Sequence, residues 1–203
     1  LRELELGNSE NIGKISRYSE PVNDYVKFLN SISDRSKGLT ELDIYKKLDA
    51  ELKEILGGEV IIDLEGNIMF RMNEKKIIDI GMVSSTVKTL TGFYLYLKYF
   101  AMERDIIFID EIELNLHPEN QRKIMKLINY LSKQGIKFII STHSPIITEE
   151  IDNMLLFEKV KDKINSEEMK EYGINSEYGL KTSDINVFHL HNKTVEKIKE
   201  KNG

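Results

Sequence analysis

Asp105-Ile-Ile-Phe-Ile-Asp110-Glu111-Ile-Glu-Leu-Asn115-Leu-His-Pro118 is the stretch whose reading decides the fold. Four apolar residues, Ile106 to Ile109, run straight into the acidic pair Asp110 and Glu111. An apolar run this short, bounded by charges and without alternation, predicts a strand buried on both faces. Ending it in two carboxylates delivers negative charge to the C-terminal edge of a parallel sheet, where open α/β sheets hold their ligands. A hard cation such as Mg²⁺ suits carboxylates there, and Mg²⁺ usually arrives with a nucleotide.

Downstream, Pro118 stands near the start of a helix predicted over 119–133, and Gly135 ends it. A second buried strand is expected over 137–140, leading into Ser141-Thr142-His143-Ser144-Pro145. A short helix ending near Asp152 and a third strand over 154–157 follow. Upstream, Gly81-Met-Val-Ser84-Ser85-Thr-Val-Lys88 precedes an apolar helix over roughly 87–102. Helices alternating with strands predict an α/β fold with a mostly parallel sheet.

Further out, three β-rich runs at 59–64, 68–72 and 77–80 read as a small antiparallel accessory sheet, with Glu65-Gly66-Asn67 as a hairpin turn. Before them come two amphipathic helices. One begins at Pro21 and carries Val22, Tyr25, Val26, Phe28, Leu29 and Ile32. The other is capped by Thr40, carries Ile44, Tyr45, Leu48, Leu52, Ile55 and Leu56, and stops at Gly57-Gly58. Residues 158–184 read as an irregular charged excursion, 185–190 as one more strand, and the tail from Asn192 as a charged segment that frays. The chain divides into an accessory part, 1–80, and a core part, 81–203.

Composition narrows the classes. The 203 residues carry a net charge of −5, so no global basic surface for nucleic acid or anionic membrane is expected. Without cysteine, neither a disulfide framework nor a Cys-based zinc site is possible. No apolar stretch is long enough to cross a bilayer, and the N-terminus lacks a signal-peptide pattern, so a cytoplasmic protein is expected. The first residue is Leu1 rather than Met, which suggests a piece of a longer protein.

The chemistry suggested by these residues is phosphate chemistry. Asp110 can hold Mg²⁺, and Glu111 can orient and polarise a water for attack on a terminal phosphate. An acidic pair that merely ends a strand is equally common. His143 changes the balance, because in a parallel sheet it emerges on the same edge as the carboxylates, where a neutral imidazole can donate to a γ-phosphate oxygen. Ser84 and Ser85 open a helix whose free N–H groups favour anions, although an ordinary N-cap needs nothing more. Lys88, one turn in, adds positive charge or is solvated. Gly7 to Ser16 imitates a phosphate-binding loop but fails its spacing: five residues separate the glycines, and Ile15 follows Lys14 where Ser or Thr is needed.

Three segments in this order, Ser84-Ser85-Thr-Val-Lys-Thr-Leu, Ile-Ile-Phe-Ile-Asp110-Glu111-Ile-Glu-Leu-Asn115-Leu116-His117-Pro, and Ser-Thr-His143-Ser-Pro, resemble the C-terminal half of an ABC-type ATPase head. The likeness, over roughly 80–157, is to the prokaryotic AAA-type predicted ATPases related to OLD and SMC-like proteins. It implies a partial P-loop NTPase fold with ATP and Mg²⁺ as cofactors, a Walker B strand ending in Asp110 and the catalytic base Glu111, and a switch histidine at His143. It further implies that Asn115, Leu116 and His117 form a D-loop touching a second subunit, and that Ser84 and Ser85 stand in the signature position, contacting ATP in a homodimer. The glycines that usually follow the signature serine are replaced by Thr86 and Val87, and the P-loop half is expected upstream, so this chain alone is expected to be inactive. DNA or an effector protein is a possible further partner. Two other classes compete: a non-catalytic ATP-dependent clamp controlling an effector, and a metal-dependent nuclease using Asp110, Glu111 and Glu113.

Overall fold

The computed structural model describes residues 27, 28, 31, 45–63, 65–171, 174–191 and 194–198. The polar segment with the phosphate-loop imitation, the capping Thr40 and most of the helix expected from Pro21 lie outside the described residues. Of that helix, residues 27, 28 and 31 are helical.

Helix α1 (Tyr45–Leu56) buries Leu48, Leu52, Ile55 and Leu56, one stripe at helical spacing. It ends as the glycine pair predicts. Gly57 sits at φ +69°, its N–H donates to the Glu54 carbonyl, and the Gly58 N–H donates to the Lys53 carbonyl, closing the last turn. Three strands follow, β1 (Glu59–Ile62), β2 (Ile68–Asn73) and β3 (Lys76–Asp79), paired antiparallel in the order β1-β2-β3. This is the expected accessory sheet, and Val60 and Phe70, paired across it, are both buried.

Ser84 caps helix α2 (Ser85–Tyr99), its Oγ accepting the Val87 N–H at 3.4 Å. Strand β4 (Ile106–Ile109), helix α3 (Pro118–Lys133) and strand β5 (Lys137–Ile140) form a parallel crossover unit with Ile109 opposite Ile140. Helix α3 packs on α1 and β5 and buries Ile124, Leu127 and Leu131 almost completely. Each such side chain contributes about 1.5–3 kcal/mol of transfer free energy. The resulting core runs without interruption from Leu48 to Leu180.

Three expectations are corrected. Strand β4 is covered on one face only, with Phe108 73% exposed and Ile106 and Ile139 more than half exposed. The described parallel sheet has two strands. The third strand, expected over 154–157, is instead the last part of helix α4 (Pro145–Val160). Ile147, Glu150, Met154 and Phe157 are buried while Leu156 is exposed, so the helical period continues through the apolar run. Beyond it, the excursion includes a short helix, α5 (Ser166–Glu171). The strand expected over 185–190 is β6 (Phe188–His191), which pairs antiparallel with β7 (Thr194–Lys197), so the predicted fraying tail supplies a strand. No described helix is long and apolar enough to cross a membrane.

Candidate functional site

Parallel pairing of β4 with β5 makes the chains leaving them neighbours. The Ser141 N–H donates to the Ile109 carbonyl at 3.0 Å, one bond beyond the ladder, so Asp110-Glu111 and Ser141-Thr142-His143 emerge together at one edge. Ser141 then bridges them. Its hydroxyl donates to Asp110 Oδ1 and accepts the Glu111 N–H at 2.9 Å. Glu111 has φ 47°, a left-handed conformation that costs a side-chain-bearing residue about 1–2 kcal/mol. The bond to Ser141 offsets part of that cost where the chain turns away from the strand.

Glu113 makes the return connection. Thr142 Oγ1 donates to its Oε2 at 2.7 Å, and the His143 N–H donates to its Oε1 at 2.6 Å. Burial pushes the Glu113 carboxyl up, but the Thr142 hydroxyl, the N–H groups of His143 and of Glu113 itself, and the His143 charge together hold it below the usual carboxylate range. Both oxygens are engaged, which leaves Glu113 poorly placed as a third metal ligand beside Asp110 and Glu111.

The loop continues to Asn115, also left-handed at φ 61°, whose carbonyl accepts the Thr86 hydroxyl at 2.6 Å and whose amide donates to Thr89 Oγ1 at 3.2 Å. This ties the 110–117 loop to the first turn of α2. His117 caps α3, with Nδ1 accepting the Glu119 N–H at 3.3 Å. Leu116 is buried and its carbonyl accepts Gln121 Nε2, so its side chain belongs to the core and is not offered to a second subunit. Gln121 Oε1 in turn accepts the hydroxyl of Ser144, the cap of α4, which locks the two helix starts together.

Asp110, Glu111, His143, Ser84 and Ser85 are all exposed. Asp110 and Glu111 line a cleft of about 490 Å³ together with Phe93, Tyr96, Phe108 and Ile124. The His143 backbone is bonded to Glu113, on the loop that begins with the acidic pair, whereas Ser84 and Ser85 connect to that loop through their neighbour Thr86. Asp110 Oδ2 and the Glu111 carboxylate have no hydrogen-bond partner among the described residues, which leaves a hard-oxygen donor open on Asp110, the type of ligand that Mg²⁺ takes. Sequence reading assigned no role to Ser141, and it weighed Glu113 only as a metal ligand. Each contacts residues about thirty positions away, and only the parallel register brings them together.

A family model described as "AAA domain, putative AbiEii toxin, Type IV TA system" matches residues 8–149. The chain belongs to this family. The AAA match extends well upstream of the three segments that carry the ATPase likeness and takes in the accessory helices and sheet. ATP binding and hydrolysis are the general activities of such domains. Solved SMC structures are also similar. One, described as "Structural biochemistry of ATP-driven dimerization and DNA stimulated activation of SMC ATPases", has 13% identity and a TM-score of 0.45, with 87% of each chain covered. A second, an SMC head bound to the C-winged helix domain of ScpA, has 22% identity and a TM-score of 0.40 over 64% of this chain and 39% of that one. The SMC head domain of Thermotoga maritima has 19% identity and a TM-score of 0.37, covering 61% of this chain and 44% of that one. Membership of the AAA family, rather than these distant likenesses, is the basis for the functional reading.

Proposed function

We propose that this AAA domain supplies part of an ATP hydrolysis site completed in a homodimer, with ATP between the β4–β5 edge of one subunit and the start of α2 of the other. The observation that carries the reading is the convergence of Asp110, Glu111 and His143 at the end of adjacent parallel strands, held there by cross-bonds from Ser141 and Glu113. Asp110 would hold Mg²⁺, which when bound neutralises charge on the β- and γ-phosphates. Glu111 accepts a hydrogen bond from the attacking water and takes its proton as the water oxygen bonds to the γ-phosphorus and the bond to ADP breaks. His143 donates to a γ-phosphate oxygen and holds that group in line. Ser84, Ser85 and the free N–H groups of the first turn of α2 bind the anion presented by the partner. Asn115 and His117 lie on the surface loop that faces the second subunit. A Gly-x4-Gly-Lys-Ser/Thr segment does not occur in the 203 residues, so the remainder of the phosphate cradle is proposed to come from sequence beyond them.

Glu111→Gln in the full-length protein tests the assignment. Hydrolysis should fall by at least about 100-fold while Mg-ATP binding survives, because the amide keeps the shape but cannot take the proton. Wild-type turnover in that variant would remove Glu111 from the mechanism. The 203 residues alone should show no micromolar Mg-ATP binding by calorimetry.

The family description, with its toxin and toxin–antitoxin terms, favours a second reading. ATP-dependent dimerisation rather than turnover would then switch an effector in a defence-type system. Glu111→Gln separates the two: a variant that no longer hydrolyses ATP but keeps its cellular effect supports the switch.

A further inference from the structure

The strongest unassigned feature is the Glu113 carboxylate, which the proposed chemistry does not use. Both of its oxygens are engaged by the loop that carries His143, at 2.6 and 2.7 Å, within the range of strong charge-assisted hydrogen bonds. The His143 side chain is exposed and has no hydrogen-bond partner of its own among the described residues. Its position therefore depends on its backbone, and the His143 N–H is held by Glu113. Glu113 is itself anchored. Its carbonyl accepts the Leu116 N–H at 2.9 Å, and Leu116 is buried in the core. A continuous path runs from the core through Leu116 and Glu113 to the His143 backbone. Glu113 also lies only two residues from Glu111, so one short loop sets the placement of both groups.

We infer that Glu113 is a positioning residue for ATP hydrolysis, clamping the His143 loop by its Thr142 hydroxyl and His143 N–H so that the imidazole stays in register with Glu111. The inference rests on the proposed hydrolysis site. It assigns to the second acid of the Glu111-Ile-Glu113 pair a role distinct from metal binding or proton transfer. Ser141 provides the reciprocal brace, from the β5 loop to Asp110 and Glu111, so the two loops hold each other from both sides. Misplacing a catalytic group by about 1 Å can cost on the order of 100-fold in rate, which sets the scale for losing this clamp.

Glu113→Gln and Glu113→Ala are compared with Glu111→Gln in the full-length protein. In both Glu113 variants KM for Mg-ATP should stay within about twofold of wild type, while kcat falls on the order of 10- to 100-fold. The alanine variant should lose more than the glutamine variant, because Gln Oε1 retains one acceptor for the clamp. In ¹⁵N-labelled protein the His143 amide proton should move upfield in Glu113→Ala as it loses a charged acceptor. The glutamine variant, close in size and shape, supplies the same readouts should the alanine variant fail to fold. Wild-type kcat in either folded variant, a rise in KM with kcat unchanged, or an unmoved His143 amide would overturn the inference. Loss of turnover in Glu111→Gln beside wild-type turnover in Glu113→Ala sinks the positioning role alone. Wild-type turnover in Glu111→Gln sinks the hydrolysis reading, and the inference with it.

Discussion

The Glu111 N–H donates to Ser141 Oγ at 2.9 Å, across two strands and thirty residues of sequence, and the same hydroxyl donates to Asp110. One small side chain thus holds both members of the acidic pair, including a Glu111 backbone in the left-handed region. The consequence is mechanical: the carboxylates are oriented by the β5 loop as well as by the strand they terminate.

Replacing Ser141 by Ala removes both contacts without adding bulk. Because the site is exposed, water replaces the lost partners and stability should fall by only about 1 kcal/mol, read from urea unfolding. ATP turnover in the full-length protein should fall much further, on the order of tenfold or more, as Asp110 and Glu111 lose their fixed geometry. Equal proportional losses in stability and turnover would argue that Ser141 is only a structural bond.

Acid should loosen the same edge through Glu113. Its folded-state pKa lies below the ordinary glutamate value of 4.5, because the hydrogen bonds and the nearby His143 charge outweigh burial. Its contribution to stability is therefore complete above pH 4.5 and is lost as pH falls through the depressed folded value, where the unfolded chain binds the proton first. Glu113→Gln should show a shallower fall in stability than wild type across that acid range and no difference in slope near neutrality. Chemical denaturation at a series of pH values measures both.

The two glycines that end α1 are required for different reasons, and substitution separates them. An added Cβ at Gly57 meets nothing within 4 Å, so Gly57→Ala pays mainly for its φ of +69°, about 1 kcal/mol. At Gly58 the Cβ would stand 2.5 Å from the Arg71 carbonyl oxygen and 2.6 Å from the Phe70 ring, so β2 must shift. Gly58→Ala should cost more, about 1–3 kcal/mol, with larger chemical-shift changes in β1 and β2.

Much of this architecture is legible in the sequence because its signals are local. Ser84 caps α2, Pro118 opens α3, Gly135 at φ +94° follows α3, and the first two β-rich runs pair antiparallel about the Glu65-Gly66-Asn67 turn. Met154 to Phe157 misleads because four apolar-rich residues fit a short strand as well as a buried helix turn. Only the continuing stripe from Ile147 decides for the helix. The open face at Phe108 is illegible for a different reason: an unbroken apolar run states that a strand resists water, not which element covers it. The cross-bonds of Ser141 and Glu113 are hidden because they depend on the register of Ile109 against Ile140.

The bond from the Thr86 hydroxyl to the Asn115 carbonyl, at 2.6 Å, yields the last prediction. It joins the first turn of α2, proposed to bind the partner's nucleotide, to the loop proposed to face the partner. Thr86→Val keeps the size and branching of the side chain but cannot donate, so the Asn115 carbonyl is left to water at an exposed site. Folding should therefore change by less than about 1 kcal/mol. Assembly should change more, because two surfaces that must meet the partner together are no longer fixed to each other and their ordering is deferred to the moment of binding. In the full-length protein carrying Glu111→Gln, ATP-induced dimerisation measured by analytical ultracentrifugation should weaken about tenfold on adding Thr86→Val. An unchanged dimerisation constant would confine the Thr86–Asn115 bond to the folding of the monomer.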